Sequence, residues 1–379
     1  MAKIKQLLLL LCLLVSVLSF SQIIVGAERT NSYIPLIKEK KIAIVGNQSS
    51  LIQKKHLVDS LLNSNISIIK VFSPEHGFRG IEDAGAKIAD GIDEKTGIPI
   101  ISLYGTNKKP TNDQIKEIDI ILFDIQDVGA RFYTYISTLH YVMEAASENN
   151  VKVIVLDRPN PNGHYVDGPV RKERFKSFVG MHPVPIVHGM TIGEYALMIN
   201  GENWISNKCD LQIIKMENYN HDTHYELPVK PSPNLPNAKA VNLYPSLCLF
   251  EGTNVSIGRG TEYPFQQFGS PYLKSNYSFT PKSTIGSRKP KYENKKCYGF
   301  DLKNEEIFHN SINLNWIIYC YNNTTDKEFF FNNFFDKLAG TDKLRKQIIN
   351  GLNEDEIKES WKKDLYEFKK IREKYLLYQ

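Results

Sequence analysis

Three strongly hydrophobic segments of this sequence lead into ionisable side chains: Glu75 and His76 after IIKVFSP, Asp124, Asp127 and Arg131 in IDIILFDIQDVGAR, and Asp157 and Arg158 in VKVIVLDRPNP. Carboxyl, imidazole and guanidinium groups can transfer protons or bind a charged substrate. In an open, mostly parallel sheet the carboxyl ends of the strands line one crevice, so these distant side chains can meet there. The pattern therefore predicts an active site at one edge of a sheet.

Glu75 is the strongest candidate for a general acid, because a proline, a glycine and two ionisable groups are crowded at this strand end. A carboxyl group beside a hydrophobic wall can keep its proton at neutral pH and donate it to a leaving group. The alternative is a loop glutamate that caps the next helix or pairs with Arg79. The adjacent His76 either binds substrate or orients its neighbour through a hydrogen bond.

The second and third clusters leave structural interpretations open. Asp124 is the last residue of a predicted buried strand, where a carboxylate is costly unless it is hydrogen-bonded or takes part in catalysis. Both interpretations stay open for it. Asp127 and Arg131, four residues apart near a predicted helix, are expected to pair with each other. Asp157 and Arg158 precede the turn PNPNG, which favours a structural role.

A glycine-rich segment, 251–269, has the composition of a ligand-binding loop. It contains Glu251, Asn254, Arg259 and Glu262 among four glycines, and glycine lets a backbone approach a substrate closely. Arg259 can hold a carboxylate in bidentate fashion. The segment lacks the lysine of a phosphate-binding loop. The alternative interpretation is a glycine-rich connector.

Metal-dependent and serine-nucleophile chemistry are not predicted. The nine histidines are scattered, and the chain has neither an HExxH nor a GxSxG motif. Carboxyl groups are therefore the strongest chemical signal, and we expect catalysis without a metal or cofactor.

Hydrophobic runs of strand length alternate with helical periodicity, which is typical of βαβ units. Strands are predicted near 41–45, 66–72, 99–103, 118–124, 151–156, 184–187 and 211–215. Helices are predicted in KKHLVDSLLN, FYTYISTLHYVMEAASENN and TIGEYALMIN, the last with Thr191 as its N-cap and Glu194 completing a capping box. The pattern predicts a doubly wound α/β domain.

The proline-rich passage LPVKPSPNLPN marks a predicted boundary between a catalytic domain, 28–235, and a smaller domain, 236–379. Beyond it, short strand-like runs precede a closing stretch of helical periodicity, so the second domain is expected to be α+β. The segment KSTIGSRKPKYENKK is polar and charged, which predicts an exposed loop.

Residues 1–27 have the pattern of a secretory signal peptide, with two lysines before an apolar run, 7–18, and small residues near Ser21 and Ala27 where cleavage fits. The run is shorter than the ~20 residues of a spanning helix. We therefore expect an exported protein, periplasmic or secreted, with no membrane span after cleavage.

Composition indicates an ordinary globular chain, with 42% hydrophobic and 23% charged residues. Removing the two leader lysines takes the formal charge from +5 to +3, and no basic block is interleaved with aromatics, so nucleic acid is not an expected partner. The cysteines beyond the leader are not spaced in the pairs that bind metals, and they are too few for a disulfide-rich scaffold. Buried free thiols are expected at Cys209, Cys248, Cys297 and Cys320.

Several long motifs resemble, in order, those of the exo-acting β-N-acetylmuramidases of the NamZ type, a glycoside hydrolase family: FSPEHGFRG, FDIQDVGARFYTYISTL, VLDRPNP, SFVGMHPVPIVHGMTIGEYA, PSPNLPN and YPSLCLFEGTNVSIGRGTEYPFQQFG. The C-terminal stretch from FDKLAGTDK onwards is also similar. The resemblance covers nearly the whole chain after the leader. One departure is Asp167 in VDGP, where family members usually have VEGP.

The resemblance implies a Rossmann-like, mostly parallel sheet domain and a smaller C-terminal domain that completes a cleft. It implies release of N-acetylmuramic acid from the non-reducing end of peptidoglycan fragments. Glycoside hydrolysis needs an acid and a second group that stabilises or traps the oxocarbenium-like centre. We expect Glu75 to be the acid/base and Asp124 or Glu251 its partner, with the substrate's acetamido oxygen as a possible nucleophile.

Arg131 or Arg259 is expected to bind the lactyl carboxylate of muramic acid. The other substrate-binding candidates are Asn47, His76, Gln126, Asp127, Asp157, Arg158, His188, Asn254 and Glu262. Two other functions are considered: an exported sugar-binding protein that closes on its ligand without chemistry, and a metal-dependent cell-wall amidase or esterase.

Overall fold

A computed structural model describes residues 22–78, 90–304 and 309–378. The first twenty-one residues of the predicted signal peptide and Arg79 lie outside these ranges. The strands, in chain order, are β1 Ile42–Gly46, β2 Leu51–Ile52, β3 Lys55–His56, β4 Ile68–Ser73, β5 Gly91–Ile92, β6 Pro99–Ser102, β7 Ile120–Asp124, β8 Lys152–Leu156, β9 Leu211–Ile214, β10 Gln267–Ser270, β11 Tyr277–Phe279 and β12 Cys297–Asp301.

The α-helices, in chain order, are α1 Thr30–Ile37, α2 Leu57–Asn63, α3 Asn112–Ile115, α4 Tyr135–Glu148, α5 Ile192–Gly201, α6 Ala238–Leu247, α7 Asn315–Asn323, α8 Asn333–Ala339, α9 Lys343–Ile349, α10 Glu354–Glu359 and α11 Lys362–Glu373. Short 3₁₀ helices are Gly26–Glu28, Glu173–Phe175 and Cys248–Gly252.

The main sheet has the order β5-β6-β4-β1-β7-β8-β9, seven strands in the described part of the chain. The pairs from β6 to β9 are parallel, and β5 is antiparallel to β6. Every residue of β1 and of β7 is buried, as expected for strands covered on both faces by helices. The predicted doubly wound α/β fold is confirmed.

Two local predictions have different outcomes. Thr191 caps α5, and its capping box with Glu194 is present as predicted. The predicted strand at 184–187 is wrong: Val187 makes only isolated bridges, to Ala130 and to Asp167. Pro183 and Pro185 have no N–H group to donate, so this stretch cannot form a regular ladder.

The elements after the proline-rich passage form a second layer. They contain an antiparallel sheet in the order β10-β12-β11 and the helices α6 to α11, which confirms a smaller α+β portion. One hydrophobic cluster includes buried residues from both portions, such as Phe123, Leu139, Phe250 and Phe335. The two portions therefore share a continuous core, and the space between them is fixed by packing.

Two smaller findings concern cysteines and hydropathy. Cys209, Cys248, Cys297 and Cys320 are buried and free, as predicted. Within the described ranges, no helix combines the length and the apolar character that crossing a bilayer requires.

Candidate active site

A cleft of about 780 Å³ is lined by residues of both portions of the chain, the first up to residue 235 and the second from residue 236 onwards. The first portion contributes Glu75, His76, Tyr104 and Thr134, and the second contributes Glu251, Arg259 and the segment 286–291. Phe132, Tyr133, Tyr244 and Phe265 provide apolar walls. Carboxyl groups, cations and aromatic rings thus meet in one concave site, as ligand sites require.

Glu75 is presented to the cleft by a turn that follows β4. His76 and Gly77 both have positive φ, 73° and 76°, a left-handed conformation that is uncommon for residues other than glycine. The Thr134 hydroxyl donates to Glu75 Oε2 at 3.1 Å, and the Tyr135 hydroxyl lies 3.4 Å from the Glu75 carbonyl oxygen. The start of helix α4 therefore holds both the side chain and the backbone of Glu75.

Tyr104 is the second side chain that holds the Glu75 carboxyl group. Burial raises the pKa of the Tyr104 phenol above its usual value, and the charge of Glu75 and a hydrogen bond to it raise it further. The phenol therefore stays protonated, and it and the Thr134 hydroxyl both hydrogen-bond to the Glu75 carboxyl group.

Glu251 has a cationic partner. Arg259 Nε donates to Glu251 Oε1 at 2.6 Å, and each side chain is about a quarter exposed, 24% and 26%. Burial opposes ionisation of Glu251, but Arg259 and then Lys291 outweigh it, so the pKa of Glu251 is lowered. The Arg259 guanidinium also lies 5.0 Å from the Phe265 ring centroid. Glu251 is thus held as a carboxylate.

Lys291 fixes the backbone around Glu251. Its ammonium donates to the carbonyl oxygens of Phe250, Thr253 and Val255 at 3.3, 2.6 and 3.1 Å. Burial lowers the pKa of Lys291, and the nearby Glu251 opposes that shift. The glycine-rich segment is therefore a rigid wall of the cleft.

Asp124 lies outside the residues that line the cleft. Its two carboxylate oxygens accept from Arg158 Nε and Nη2 at 2.6 and 2.9 Å, and both side chains are almost fully buried, 0% and 3% exposed. A bidentate pair of this kind satisfies both charges within the core. This placement matches the structural interpretation of the strand-end aspartate.

Asp157 also faces inwards. Its carboxylate accepts hydrogen bonds from the Thr191 hydroxyl, the Gly193 N–H and the Tyr378 hydroxyl at 2.8, 2.8 and 2.6 Å. Burial raises its pKa to about 6, although these donors lower it. Asp157 therefore joins the sheet to α5 and to the end of the chain.

The predicted Asp127–Arg131 ion pair is wrong. The two residues precede α4, so their spacing of four does not place them on one helix face. Arg131 donates instead to the carbonyl oxygens of Pro169, Val184 and Leu338, and Asp127 accepts from the Gly129 N–H at 2.7 Å. Burial raises the pKa of Asp127 to about 7, while the Gly129 N–H opposes that shift.

Several substrate-binding candidates lie behind the cleft wall or away from it. Asn47 follows β1 and donates to the Tyr135 hydroxyl at 2.9 Å. Tyr135 in turn contacts the Glu75 carbonyl oxygen, so it connects Asn47 to Glu75. Gln126 donates to the carbonyl oxygens of Asp127 and Pro159. His188 is fully buried, with its Nε2 atom 3.9 Å from Asp127 Oδ2.

The remaining candidates lie on the second portion or on the first motif. Asn254 donates to the Asp326 carbonyl oxygen, and Glu262 lines a separate, smaller pocket. His76, as predicted, lies in the cleft lining. Of the sequence candidates, the structure therefore brings together Glu75, His76, Glu251 and Arg259.

Asp167, the acidic residue of the VDGP motif, joins the two portions. Its carboxylate accepts from the Gly168 N–H, the Ile312 N–H and the Trp361 indole at 2.7, 2.8 and 3.2 Å. These three donors occupy both oxygens of a buried carboxylate. The Asp167 side chain therefore acts in packing, outside the cleft lining.

Sequence reasoning missed Tyr104, Thr134 and the segment 286–291. Tyr104 follows β6, so the same strand-end argument that found Glu75 could have found it. The segment 286–291 lies inside the charged stretch that was predicted only to be exposed. Arg288 and Lys289 are exposed, yet they also line the cleft.

The described residues contain no group of three or more His, Cys, Asp or Glu side chains that could hold a metal ion. Among the described residues, the cleft lining contains two carboxyl groups, Glu75 and Glu251, together with phenol, hydroxyl and cationic groups. An acid and a second carboxyl group in a different setting are the two roles that glycoside hydrolysis requires.

Comparison with known proteins points to the same chemistry. The N-terminal and C-terminal family models of the exo-β-N-acetylmuramidase NamZ match residues 42–239 and 242–378. The peptidoglycan β-N-acetylmuramidase NamZ of Bacillus subtilis (strain 168) is 40% identical over 373 residues, which cover 90% of this chain and 88% of that protein.

Solved structures of two DUF1343 family proteins from Bacteroides fragilis are similar throughout. One is 51% identical with a TM-score of 0.89 and covers 95% of this chain and 99% of its own. The other is 27% identical with a TM-score of 0.78 and covers 94% and 99%. With both family models matched along its length, the chain belongs to the NamZ family of exo-β-N-acetylmuramidases and is a glycoside hydrolase.

Proposed function

We propose that the cleft binds the muramic acid unit at the non-reducing end of a peptidoglycan fragment and hydrolyses its glycosidic bond, with Glu75 as general acid/base and Glu251 as the second carboxyl group. The observation that carries this assignment is that both carboxyl groups line one cleft, each with its own hydrogen-bond donors. Glu75 is held by the hydroxyls of Thr134 and Tyr104, whereas Glu251 is held by Arg259. Different settings assign different roles to two carboxyl groups.

In the first step, protonated Glu75 donates its proton to the glycosidic oxygen as the bond to the anomeric carbon breaks. The electron pair of that bond passes to the leaving oxygen, and Glu251 stabilises the positive charge that develops on the sugar ring. Water then adds to the anomeric carbon and gives a proton back to Glu75, which restores the acid. Tyr104 and Thr134 keep the carboxyl group in position throughout.

The charges of the cleft suit an anionic sugar. The described lining residues include more cationic side chains than carboxyl groups: Arg259, Arg288, Lys289 and Lys291 against Glu75 and Glu251. Arg131, one of the two arginines expected to bind the lactyl carboxylate, is fully buried against backbone carbonyls. We assign that role to Arg259 together with Arg288 and Lys289.

The proposed substrates are peptidoglycan-derived glycans that end in muramic acid, and we propose that the protein meets them after export to the periplasm or the exterior. Residues just after Ser21 support cleavage at that site. Ile24 pairs with Glu217 through the backbone, the Gly26 N–H donates to the Asp157 carbonyl oxygen at 2.8 Å, and Ala27 is fully buried. Cleavage after Ala27 would remove these contacts.

The function is tested with a defined disaccharide that has muramic acid at its non-reducing end, with products and their anomers followed by NMR. We expect free N-acetylmuramic acid and N-acetylglucosamine to appear together. Binding of the disaccharide without its hydrolysis would instead indicate a sugar-binding protein, and activity that a chelator abolishes would indicate a metal-dependent enzyme.

A further inference from the structure

A second pocket, of about 500 Å³, lies on the antiparallel sheet of the C-terminal portion. Tyr263, Tyr277 and Phe279 line it together with Thr261 and Gln267. Tyr263 is 40% exposed. Aromatic rings with a few fixed polar groups are the usual lining of a ligand site.

Strand alternation explains why aromatic rings face outwards here. Phe268 and Phe300 are opposite each other on β10 and β12, and Phe268 stacks on Phe300 and on Phe250 at 5.1 and 5.0 Å between ring centroids. That face belongs to the core. Tyr277 and Phe279 are paired with positions of the opposite face, since successive residues of a strand alternate. The opposite face therefore carries the rings of Tyr277 and Phe279, which are half-buried.

The polar groups of this pocket are fixed by one another. The Tyr277 hydroxyl donates to Gln267 Oε1, Gln267 Nε2 donates to Thr261 Oγ1 at 2.6 Å, and the Thr261 hydroxyl donates to the Gly258 carbonyl oxygen at 2.6 Å. The chain of hydrogen bonds holds the rings and the loop in one arrangement. A ligand would therefore meet a preorganised surface.

Charges in the pocket are balanced, unlike those of the active cleft. Lys303 lies 4.6 Å from the Tyr263 ring centroid and pairs with Asp301 at 3.2 Å. Glu262 and Lys282 add one charge of each sign to the lining. This balance favours a neutral ligand over an anionic one.

Two backbone segments connect the pocket to the active cleft. Arg259 lines the cleft and the next residue, Gly260, lines the pocket; the segment from Lys282 to Gly286 likewise passes from one to the other. The Lys282 N–H donates to the Gly260 carbonyl oxygen at 2.8 Å. Gly260 has a φ of +77°, and a Cβ there would lie 2.4 Å from the Lys282 carbonyl oxygen, so only glycine fits this junction.

We propose that this pocket is a distal glycan subsite, which binds a neutral N-acetylglucosamine unit of the strand whose muramic acid end is cleaved in the main cleft. The proposal rests on the proposed function. The exposed face of Tyr263 packs against the C–H face of the sugar ring, and the exposed Glu262 and Lys282 line the same pocket for its hydroxyl and acetamido groups. The subsite would make long glycans better substrates than short ones.

Binding of chitotetraose, a neutral N-acetylglucosamine tetramer with no muramic acid, tests the subsite directly by titration calorimetry. We expect Tyr263→Ala to weaken binding roughly tenfold, since one aromatic contact contributes about that much. Tyr263→Phe, which keeps the ring, should bind like the wild type. Tyr366→Ala is the matched control, because Tyr366 is 60% exposed on α11 and should leave binding unchanged.

Turnover provides the second measurement. Tyr263→Ala should lower kcat/KM for a muramic-acid-terminated tetrasaccharide by a similar factor and leave that for a chromogenic N-acetylmuramide unchanged. No binding of chitotetraose by the wild type at millimolar concentration, or equal affinity of the wild type and Tyr263→Ala, would overturn the subsite. A wild type that binds chitotetraose but hydrolyses neither substrate would overturn the proposed function and leave the subsite standing.

Discussion

Glu75 and Glu251 are both carboxyl groups of one cleft, but they have different hydrogen-bond partners. A phenol and a hydroxyl can hydrogen-bond to a protonated or an ionised Glu75, so the residue can pass a proton in both directions. Arg259 and Lys291 keep Glu251 ionised against the effect of burial. The chemistry of the site is therefore set by partners rather than by the residue type.

The Glu251–Arg259 pair makes the acid limb of the pH profile predictable. Ionised Glu251 is the active form, so activity is present above its pKa and is lost as the pH falls through it. Arg259→Met removes the cation, so the remaining effect of burial raises the pKa of Glu251. We expect the acid limb of kcat/KM against pH to move to higher pH.

The matched control is Arg29→Met, which breaks the Arg29–Glu217 pair outside the cleft and should leave the profile in place. An acid limb that stays unchanged in Arg259→Met would contradict the role of Glu251 as the required carboxylate.

Sequence reasoning could find ionisable residues at strand ends but could not tell which of them are neutralised internally. Asp124, Asp157 and Glu75 all lie at or just beyond the carboxyl ends of strands of one sheet. Arg158, which neutralises Asp124, lies 34 residues further along the chain, and Tyr378, which binds Asp157, lies 221 residues away. Such partners are set by tertiary packing, which no local pattern records.

At the scale of elements, residues 286–291 of a charged loop form one wall of the active cleft. Its composition predicted exposure, and Arg288 and Lys289 are indeed exposed. What composition could not show is which surface the loop lies on. Asn234 Nδ2 donates to the Gly286 carbonyl oxygen at 2.6 Å, and this contact with the proline-rich passage fixes the loop across the cleft.

The loop's charge should determine selectivity for muramic acid. The double variant Arg288→Ala/Lys289→Ala removes both exposed cations, and we expect the inhibition constant of free N-acetylmuramic acid to rise about tenfold, as for loss of one charge-assisted hydrogen bond. The constant for N-acetylglucosamine, which lacks the carboxylate, should stay within about twofold.

Lys295→Ala/Lys296→Ala is the control. Both lysines are exposed and belong to the same charged stretch, 282–296, but they do not line the cleft. Equal weakening of both sugars by Arg288→Ala/Lys289→Ala would show that the loop acts through shape rather than charge.

At the scale of the whole molecule, the two portions are joined by buried polar contacts between residues that no sequence pattern relates to each other. Arg131 of the first portion donates to the Leu338 carbonyl oxygen at 2.8 Å, and the Trp361 indole donates to Asp167 at 3.2 Å. These contacts, with the shared hydrophobic cluster, set the width of the cleft. Asp167 thus lies at the junction between the two portions.

The first described residues also belong to the whole fold. Val25 and Ala27 are buried, 6% and 0% exposed, and the Tyr33 hydroxyl donates to the Ala27 carbonyl oxygen at 2.8 Å. A chain that begins at Glu28 should therefore be less stable than one that begins at Gln22, by roughly 2 kcal/mol for the lost apolar burial. Urea unfolding of the two chains measures the difference.

We propose that the mature protein begins at Gln22, which N-terminal sequencing would show. Equal stability of the two chains, with a natural N-terminus at Glu28, would contradict the proposed cleavage after Ser21.

The central claim is that Glu75 is the acid that protonates the glycosidic oxygen, and Glu75→Gln tests it most directly. Glutamine keeps the size and the hydrogen bonds to Thr134 and Tyr104 but has no proton to transfer. We expect kcat for a muramic-acid-terminated disaccharide to fall by about 10² to 10⁴, with sugar binding retained, while the exposed control Glu117→Gln keeps full activity. A loss of less than about tenfold in Glu75→Gln would contradict the account.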